Sequence, residues 1–341
     1  MTITPVSSDF GPDARDPILT ARAWLDQYEA IALATVIETW GSSPVPVGGQ
    51  LVIAPDERFE GSISGGCVEA AVITEAATVM VNGGPKCLEF GVAHETAWQV
   101  GLPCGGRIEV YVERLGGRDG KLYADAILEA RSSRTLLVAR TSLANGVRAL
   151  HRDLEPFPDD AAYLAAGESR VVDTRDGRVF LQAFAPALHL IIVGAGHIGQ
   201  VLADLARRIG YRVTVVDPRT AFSTSARFDR VALKQEWPET ALPALHLDSR
   251  TAVVTLAHTA NLDDEALTVA LQSSCFYIGA LGSRRTHEKR VERLRGAGVA
   301  DEALACIDAP AGLSIGAKGA AEIAVSILAG VIEAQRRRVP Q

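Results

Sequence analysis

Residues 188–217 constrain the fold more than any other stretch of the chain. Leu188 to Val193 is a continuous apolar run, the pattern of a parallel strand buried on both faces. Gly194-Ala195-Gly196-His197-Ile198-Gly199 follows and leads into a helical stretch ending near Ile209. A second strand, Arg212 to Asp217, closes on an acidic residue at the spacing expected of a dinucleotide fingerprint. Gly194 permits the tight turn, Gly196 lets backbone approach a pyrophosphate, and Gly199 allows close helix–strand packing. Asp217 is expected to bond ribose hydroxyls and disfavour a 2′-phosphate, with Arg219 near enough to soften that preference. Strand-like and helical runs then alternate over 251–257, 263–272, 276–281, 284–295 and 320–335, the signature of a doubly wound parallel sheet. The expectation is a Rossmann-type domain over 187–341. Its loop would hold NAD(P), FAD or another phosphate-bearing ligand.

Two further loops belong to the same carboxyl face, where open α/β sheets bind ligands. Gly279 to His287 follows a strand and opens a helix, offering backbone donors with the guanidinium groups of Arg284 and Arg285 to an anion. Ala309 to Gly319 is a second glycine-rich loop before the last helix. Each loop is equally explained as turn chemistry, and their convergence on one face favours binding. His258, at a strand end, is either an acid–base group or a structural hydrogen bonder. Asp263, Asp264 and Glu265 read as partners of a helix dipole.

The first third carries different chemistry. Ser64-Gly65-Gly66-Cys67-Val68-Glu69 and Pro103-Cys104-Gly105-Gly106 place each thiol where the backbone lacks side chains, so a bulky group can approach the sulfur. The first motif enters a helix over 68–80, whose N-terminus favours anions and lowers the pKa of a nearby thiol. That pattern suits a sulfur ligand or carrier beside a phosphate-binding turn, against the plainer reading of two cysteines packed in tight turns. A helix over 16–27, strands over 31–39, 51–54 and 107–114, and a Pro/Gly-rich loop over 40–49 make residues 16–115 an α+β unit. Residues 116–186 read as additional strands or a connection, including a hairpin turn at Asp176-Gly177. Residues 1–15 read as a flexible tail.

The totals set limits. A chain of 341 residues has material for two domains, and a formal net charge of −7 gives no footprint for nucleic acid. No apolar run is long enough for a membrane span, and the first residues lack a signal pattern, so a cytoplasmic protein is expected. Five cysteines without CxxC or Cys/His pairing argue for reduced thiols, with neither a disulfide framework nor structural zinc.

Seven segments taken together resemble the xanthine dehydrogenase accessory factor family (XdhC/CoxI). They are TWGSSPVPVG at 39–48, GSISGGCVEAAV at 61–72, GLPCGGRIEVYVE at 101–113, VDPRTAF at 216–222, RF at 227–228, YIGALGSRRTHEKR at 277–290 and APAGLSIGAKGAAEIAVSILAGVI at 309–332. The resemblance spans nearly the whole chain. It implies a cytoplasmic chaperone, rather than a catalyst, that binds molybdenum cofactor as molybdopterin or its cytosine dinucleotide. It further implies that the cofactor is held while a cysteine desulfurase supplies a sulfido ligand, then inserted into a molybdenum hydroxylase such as xanthine dehydrogenase. Homodimerisation is implied as well. On this reading Cys67 and Cys104 contact the metal end, and Gly65, Gly66, Gly105 and Gly106 make room for it. Val45 departs from the family pattern, which commonly has a basic residue between the two prolines, and this weakens that loop as a phosphate site. The competing class is an NAD(P)-dependent oxidoreductase using Gly194 to Gly199.

Overall fold

The computed structural model describes residues 16–41, 43–66, 68–91 and 106–338. They divide between Pro186 and Ala187 into two compact units. No helix among the described residues is long and apolar enough to cross a membrane.

The first unit opens with α1 (Pro17–Trp24), capped where Asp16 Oδ1 accepts from the Ile18 N–H at 2.9 Å. Then come β1 (Ala30–Trp40), β2 (Gln50–Ile53), β3 (Phe59–Gly61), α2 (Glu69–Asn82), β4 (Lys86–Phe90) and β5 (Arg107–Gly116). These strands form an antiparallel sheet ordered β3-β2-β1-β5-β4. The central strand β1 is covered on both faces, which explains its unbroken apolar run. Ile31 and Leu33 pack with Ile18 of α1, while Ala32, Ala34 and Val36 pack with Val72, Ala76 and Val79 of α2.

The rest of this unit is α3 (Gly117–Ser132), β6 (Leu137–Ser142), β7 (Arg148–His151), α4 (Ala161–Ala166), β8 (Arg170–Thr174) and β9 (Gly177–Phe184). Its second antiparallel sheet runs β7-β6-β9-β8. The expected Asp176-Gly177 hairpin joins β8 to β9, with Gly177 at φ 108°. Helix α3 closes through a Thr135 N–H to Ala130 carbonyl bond, and β6 begins at Leu137.

The second unit contains β10 (His189–Val193), α5 (His197–Arg208), β11 (Arg212–Val216), β12 (Ala232–Lys234), α6 (Pro238–Ala244), β13 (Thr251–Thr255), α7 (Ala260–Leu271), β14 (Tyr277–Ala280), α8 (Arg284–Gly296), α9 (Asp301–Leu304), β15 (Ile307–Asp308) and α10 (Gly319–Arg336). All six strands are parallel in the order β12-β11-β10-β13-β14-β15. The order reverses direction at β10, so the crevice of this sheet opens between the ends of β10 and β13. Leu190 and Ile192 bury with α5 and α10 on one face, Ile191 and Val193 with α6 and α7 on the other.

Gly194 sits at that reversal with φ 113°, and a Cβ there would lie 2.7 Å from Ala257 N. Gly199 is constrained likewise, its Cβ falling 2.6 Å from the Gly194 carbonyl. Gly196 differs, because a Cβ there meets no protein atom within 4 Å. Gly194→Ala is therefore expected to destabilise the protein by about 2–4 kcal/mol, and Gly196→Ala by no more than about 1 kcal/mol. Calorimetric melting of both variants checks this ordering, and equal melting temperatures would contradict the packing at Gly194.

Candidate functional site

In the second unit the glycine turn is held from beneath. Asp217 ends β11 with 0% exposure, and its Oδ2 accepts from the Ala195 N–H at 2.7 Å. Oδ1 accepts from the Arg219 N–H and Nε, each at 2.9 Å, and Oδ2 also takes Arg219 Nη2 at 2.7 Å. Burial alone would raise the pKa of this carboxyl, but the Arg219 and Ala195 hydrogen bonds lower it. Asp217 was expected to bond ribose hydroxyls; both of its oxygens are engaged within the protein. Helix α5 starts at N-cap Gly196 without a side-chain cap, so its first-turn N–H groups stay open to an acceptor over a glycine that leaves space.

Across the reversal, β13 and β14 end on a buried ion pair. Asp263 Oδ1 accepts from the Ala257 N–H at 3.2 Å, and Asp263 Oδ2 lies 3.6 Å from Arg290 Nη2. Arg290, 2% exposed, donates Nη2 to the Leu281 carbonyl at 2.9 Å. Asp263 is thus a clamp between strand ends, where a dipole partner was expected, and Asp264 instead pairs with Arg293 at 2.5 Å. His258, exposed beside this clamp, takes the left-handed conformation at φ 58°. Arg284 and Arg285 open α8, exposed and with no hydrogen bond or ion pair among the described residues; Ser283 Oγ caps the helix by accepting from the Thr286 N–H at 3.2 Å.

The first unit contributes a turn wound around one carboxylate. Glu69 is the first residue of α2 and 7% exposed. Its Oε1 accepts from Ser62 Oγ (3.0 Å), the Ile63 N–H (3.2 Å) and the Ser64 N–H (3.0 Å). Its Oε2 accepts from the Gly66 N–H (3.0 Å), the Val68 N–H (3.2 Å) and Ser64 Oγ. Burial opposes ionisation, yet this ring of donors holds the carboxyl down at about 2. Gly65 and Gly66 turn the chain outward at φ 77° and 116°, exposed, with nothing within 4 Å of a Cβ on Gly66.

That arrangement corrects one expectation. The turn was read as a phosphate-binding helix entrance, but the N–H groups of Ile63, Ser64, Gly66 and Val68 are taken by Glu69, and that of Gly65 by Ser62 Oγ. The sequence signal is a serine pair shortly before an early-turn glutamate, a residue that fits either orienting a pterin edge or complementing the helix dipole. Cys67, Cys104 and Gly105 lie outside the described residues. Among the described neighbours, Gly65 and Gly106 lie against the edge formed by Pro44 and Gly41: a Cβ on Gly65 would sit 3.6 Å from Pro44 Cγ, and a Cβ on Gly41 3.6 Å from Gly106 Cα. The Arg107 guanidinium stacks 3.7 Å from the Trp40 ring centre at the same edge. Of the other thiols, Cys87 is pushed up to about 11 by desolvation and by Glu109, and Cys275 is raised by burial. Neither suits a nucleophile or metal ligand at neutral pH.

The fold and its loops define a two-unit protein with a Rossmann-type second half. A sequence model of the XdhC Rossmann domain matches residues 190–331, and one of the XdhC and CoxI family matches residues 24–91. The chain belongs to the XdhC and CoxI family. It is 31% identical over 306 residues to the molybdenum cofactor insertion chaperone PaoD of Escherichia coli K12, covering 88% of this chain and 81% of that one. It is 27% identical over 338 residues to a Bacillus subtilis 168 protein named as a probable xanthine dehydrogenase subunit, covering 92% and 96%. A crystal structure from Bacillus halodurans, described as a xanthine dehydrogenase, shares the fold at TM-score 0.77 and 23% identity over 95% of this chain and 97% of that one.

The Glu69 ring makes a pH-dependent prediction. A carboxyl depressed to about 2 from an unfolded value near 4.5 adds stability that is complete above the unfolded value and lost as pH falls towards about 2. Amide protection at Ser64, Gly66 and Val68, followed by NMR, should therefore drop as pH falls from about 4.5 to about 2. Glu69→Gln should show low protection at those amides already at neutral pH. Protection unchanged in the variant would refute the ring.

Proposed function

We propose that this chain is an accessory chaperone that binds molybdenum cofactor and inserts it into a xanthine dehydrogenase-type molybdenum hydroxylase. The observation that carries the reading is the Ser62–Val68 turn. A buried ionised Glu69 fixes it from inside, while Gly65 and Gly66 leave its outer surface bare on the approach to Cys67. A rigid, side-chain-free surface flanking a thiol fits a bulky sulfur-bound metal centre. Because Glu69 takes the N–H groups of Ile63, Ser64, Gly66 and Val68, the turn suits the metal end better than a phosphate. The close approach of Gly41 to Gly106 supports Cys104 as a second thiol at that edge. Thiolates are soft ligands suited to molybdenum or to a sulfur atom in transit.

Bound molybdopterin would supply its own dithiolene and oxo-metal chemistry. The protein's part is to hold: Cys67 and Cys104 contact the metal end, and Gly65, Gly66, Gly105 and Gly106 make room. In the second unit the α5 entrance at Gly194, Gly196 and Gly199 binds a phosphate-bearing nucleotide, with Arg284 and Arg285 adding positive charge at the entrance to α8. The relative named as an insertion chaperone supports this role over a hydride-transferring enzyme. Following the family resemblance, the reading includes sulfuration by a cysteine desulfurase before handover, a homodimer and a cytoplasmic setting.

The test is the molybdopterin content of anaerobically purified protein, read as the fluorescent oxidised pterin. Near-stoichiometric cofactor in wild type, falling at least about tenfold in Cys67→Ser and Cys104→Ser, is the expected result. Full retention in both variants would overturn the thiol assignment. No pterin in any sample from cofactor-competent cells would overturn the chaperone reading.

A further inference from the structure

The loop after β11 contains Asp217-Pro218-Arg219 and Phe222 of one sequence motif and Arg227-Phe228 of another. In a dinucleotide site this loop faces the ribose next to the phosphates bound at the glycine turn. Diol recognition there needs a free carboxylate, and Asp217 has none to offer, since both oxygens are taken by Ala195 and Arg219. The exposed group is Arg219, whose side chain is 37% exposed and spends only its backbone N–H, Nε and one Nη2 hydrogen on Asp217. Its Nη1 hydrogens remain available.

The surroundings are rigid and net positive. Ser223 Oγ donates to the Asp217 and Arg219 carbonyls at 3.0 and 3.2 Å, closing the turn. Arg227 is anchored to α5 by exchanging bonds with Gln200 at 3.1 and 2.9 Å. Its guanidinium lies 5.5 Å and that of Arg219 4.6 Å from the centre of the Phe222 ring, which is 41% exposed. Two guanidiniums therefore stand around a partly exposed aromatic ring, with Asp217 bonded to Arg219 and Asp263, which also acts on Arg219, paired with Arg290, while Asp229 and Arg230 form their own pair.

We infer that Arg219, supported by Arg227, makes this site selective for a nucleotide whose ribose carries an additional phosphate, over the same nucleotide with a free diol. Asp217 acts as the positioning residue that holds both the glycine turn and the Arg219 fork. The inference rests on reading the α5 entrance as a nucleotide site, and it adds which nucleotide class that site prefers.

Titration calorimetry of the full-length protein with ADP-ribose and with 2′-phospho-ADP-ribose separates the two claims. Wild type should bind the 2′-phosphorylated ligand at least about tenfold more tightly at low salt, a gap that narrows as salt rises. Arg219→Ala should abolish the preference, Arg219→Lys should keep part of it, and Arg227→Ala, which spares the Asp217 pair, should reduce it. Equal or tighter binding of ADP-ribose, or an Arg219→Ala protein with the preference intact, would overturn the inference and leave the nucleotide site standing. Binding of neither ligand to folded wild type would overturn both.

Discussion

An ionised carboxylate taken out of water must be hydrogen-bonded on both oxygens, and in each unit that requirement shapes a glycine turn. Glu69 draws the Ser62–Val68 backbone around itself until the donors of that turn point inward. Asp217 does the same more sparingly, taking Ala195 from the glycine loop and the Arg219 fork from its own strand end. The glycines complete what the carboxylates begin. Gly65, Gly66 and Gly194 accept the left-handed conformations that such tight winding imposes, and no other residue does so without strain.

The two turns use their buried acids differently. In the first, the buried glutamate takes the N–H groups of Ile63, Ser64, Gly66 and Val68 ahead of the helix, and Gly65 and Gly66 leave exposed, uncharged backbone on the outer side. In the second, the acid binds one residue of the turn, and the entrance of α5 has no side-chain cap.

The doubly wound sheet was legible because its signals are local. Apolar runs of five or six residues, a glycine at a required left-handed position and an acid at a strand end are each dictated by backbone sterics and strand burial. Short elements were not: β12 spans three residues and β15 two, too few to show any period, and α3 begins in a glycine- and charge-rich stretch. The site was legible as residues but not as bonds. Asp217 and Arg219 were both visible, yet their spacing leaves open whether the arginine or a ligand takes the carboxylate. Arg290 is one of several arginines in a highly charged helix, and only the tertiary packing of α8 singles it out as buried. For Glu69, the sequence left a pterin contact and a helix dipole partner both open, because the folding-back of residues 62–66 is a tertiary event with no periodic signature.

The account stands on handover of a held cofactor. The most direct measurement is to mix anaerobically purified, pterin-loaded protein with a cofactor-free xanthine dehydrogenase-type hydroxylase, then follow pterin in the separated proteins alongside hydroxylase activity. The account predicts that activity rises in proportion to the pterin leaving this chain and appearing in the hydroxylase. Pterin that stays on this chain, or hydroxylase activity that recovers equally well with free cofactor and no added protein, would contradict it.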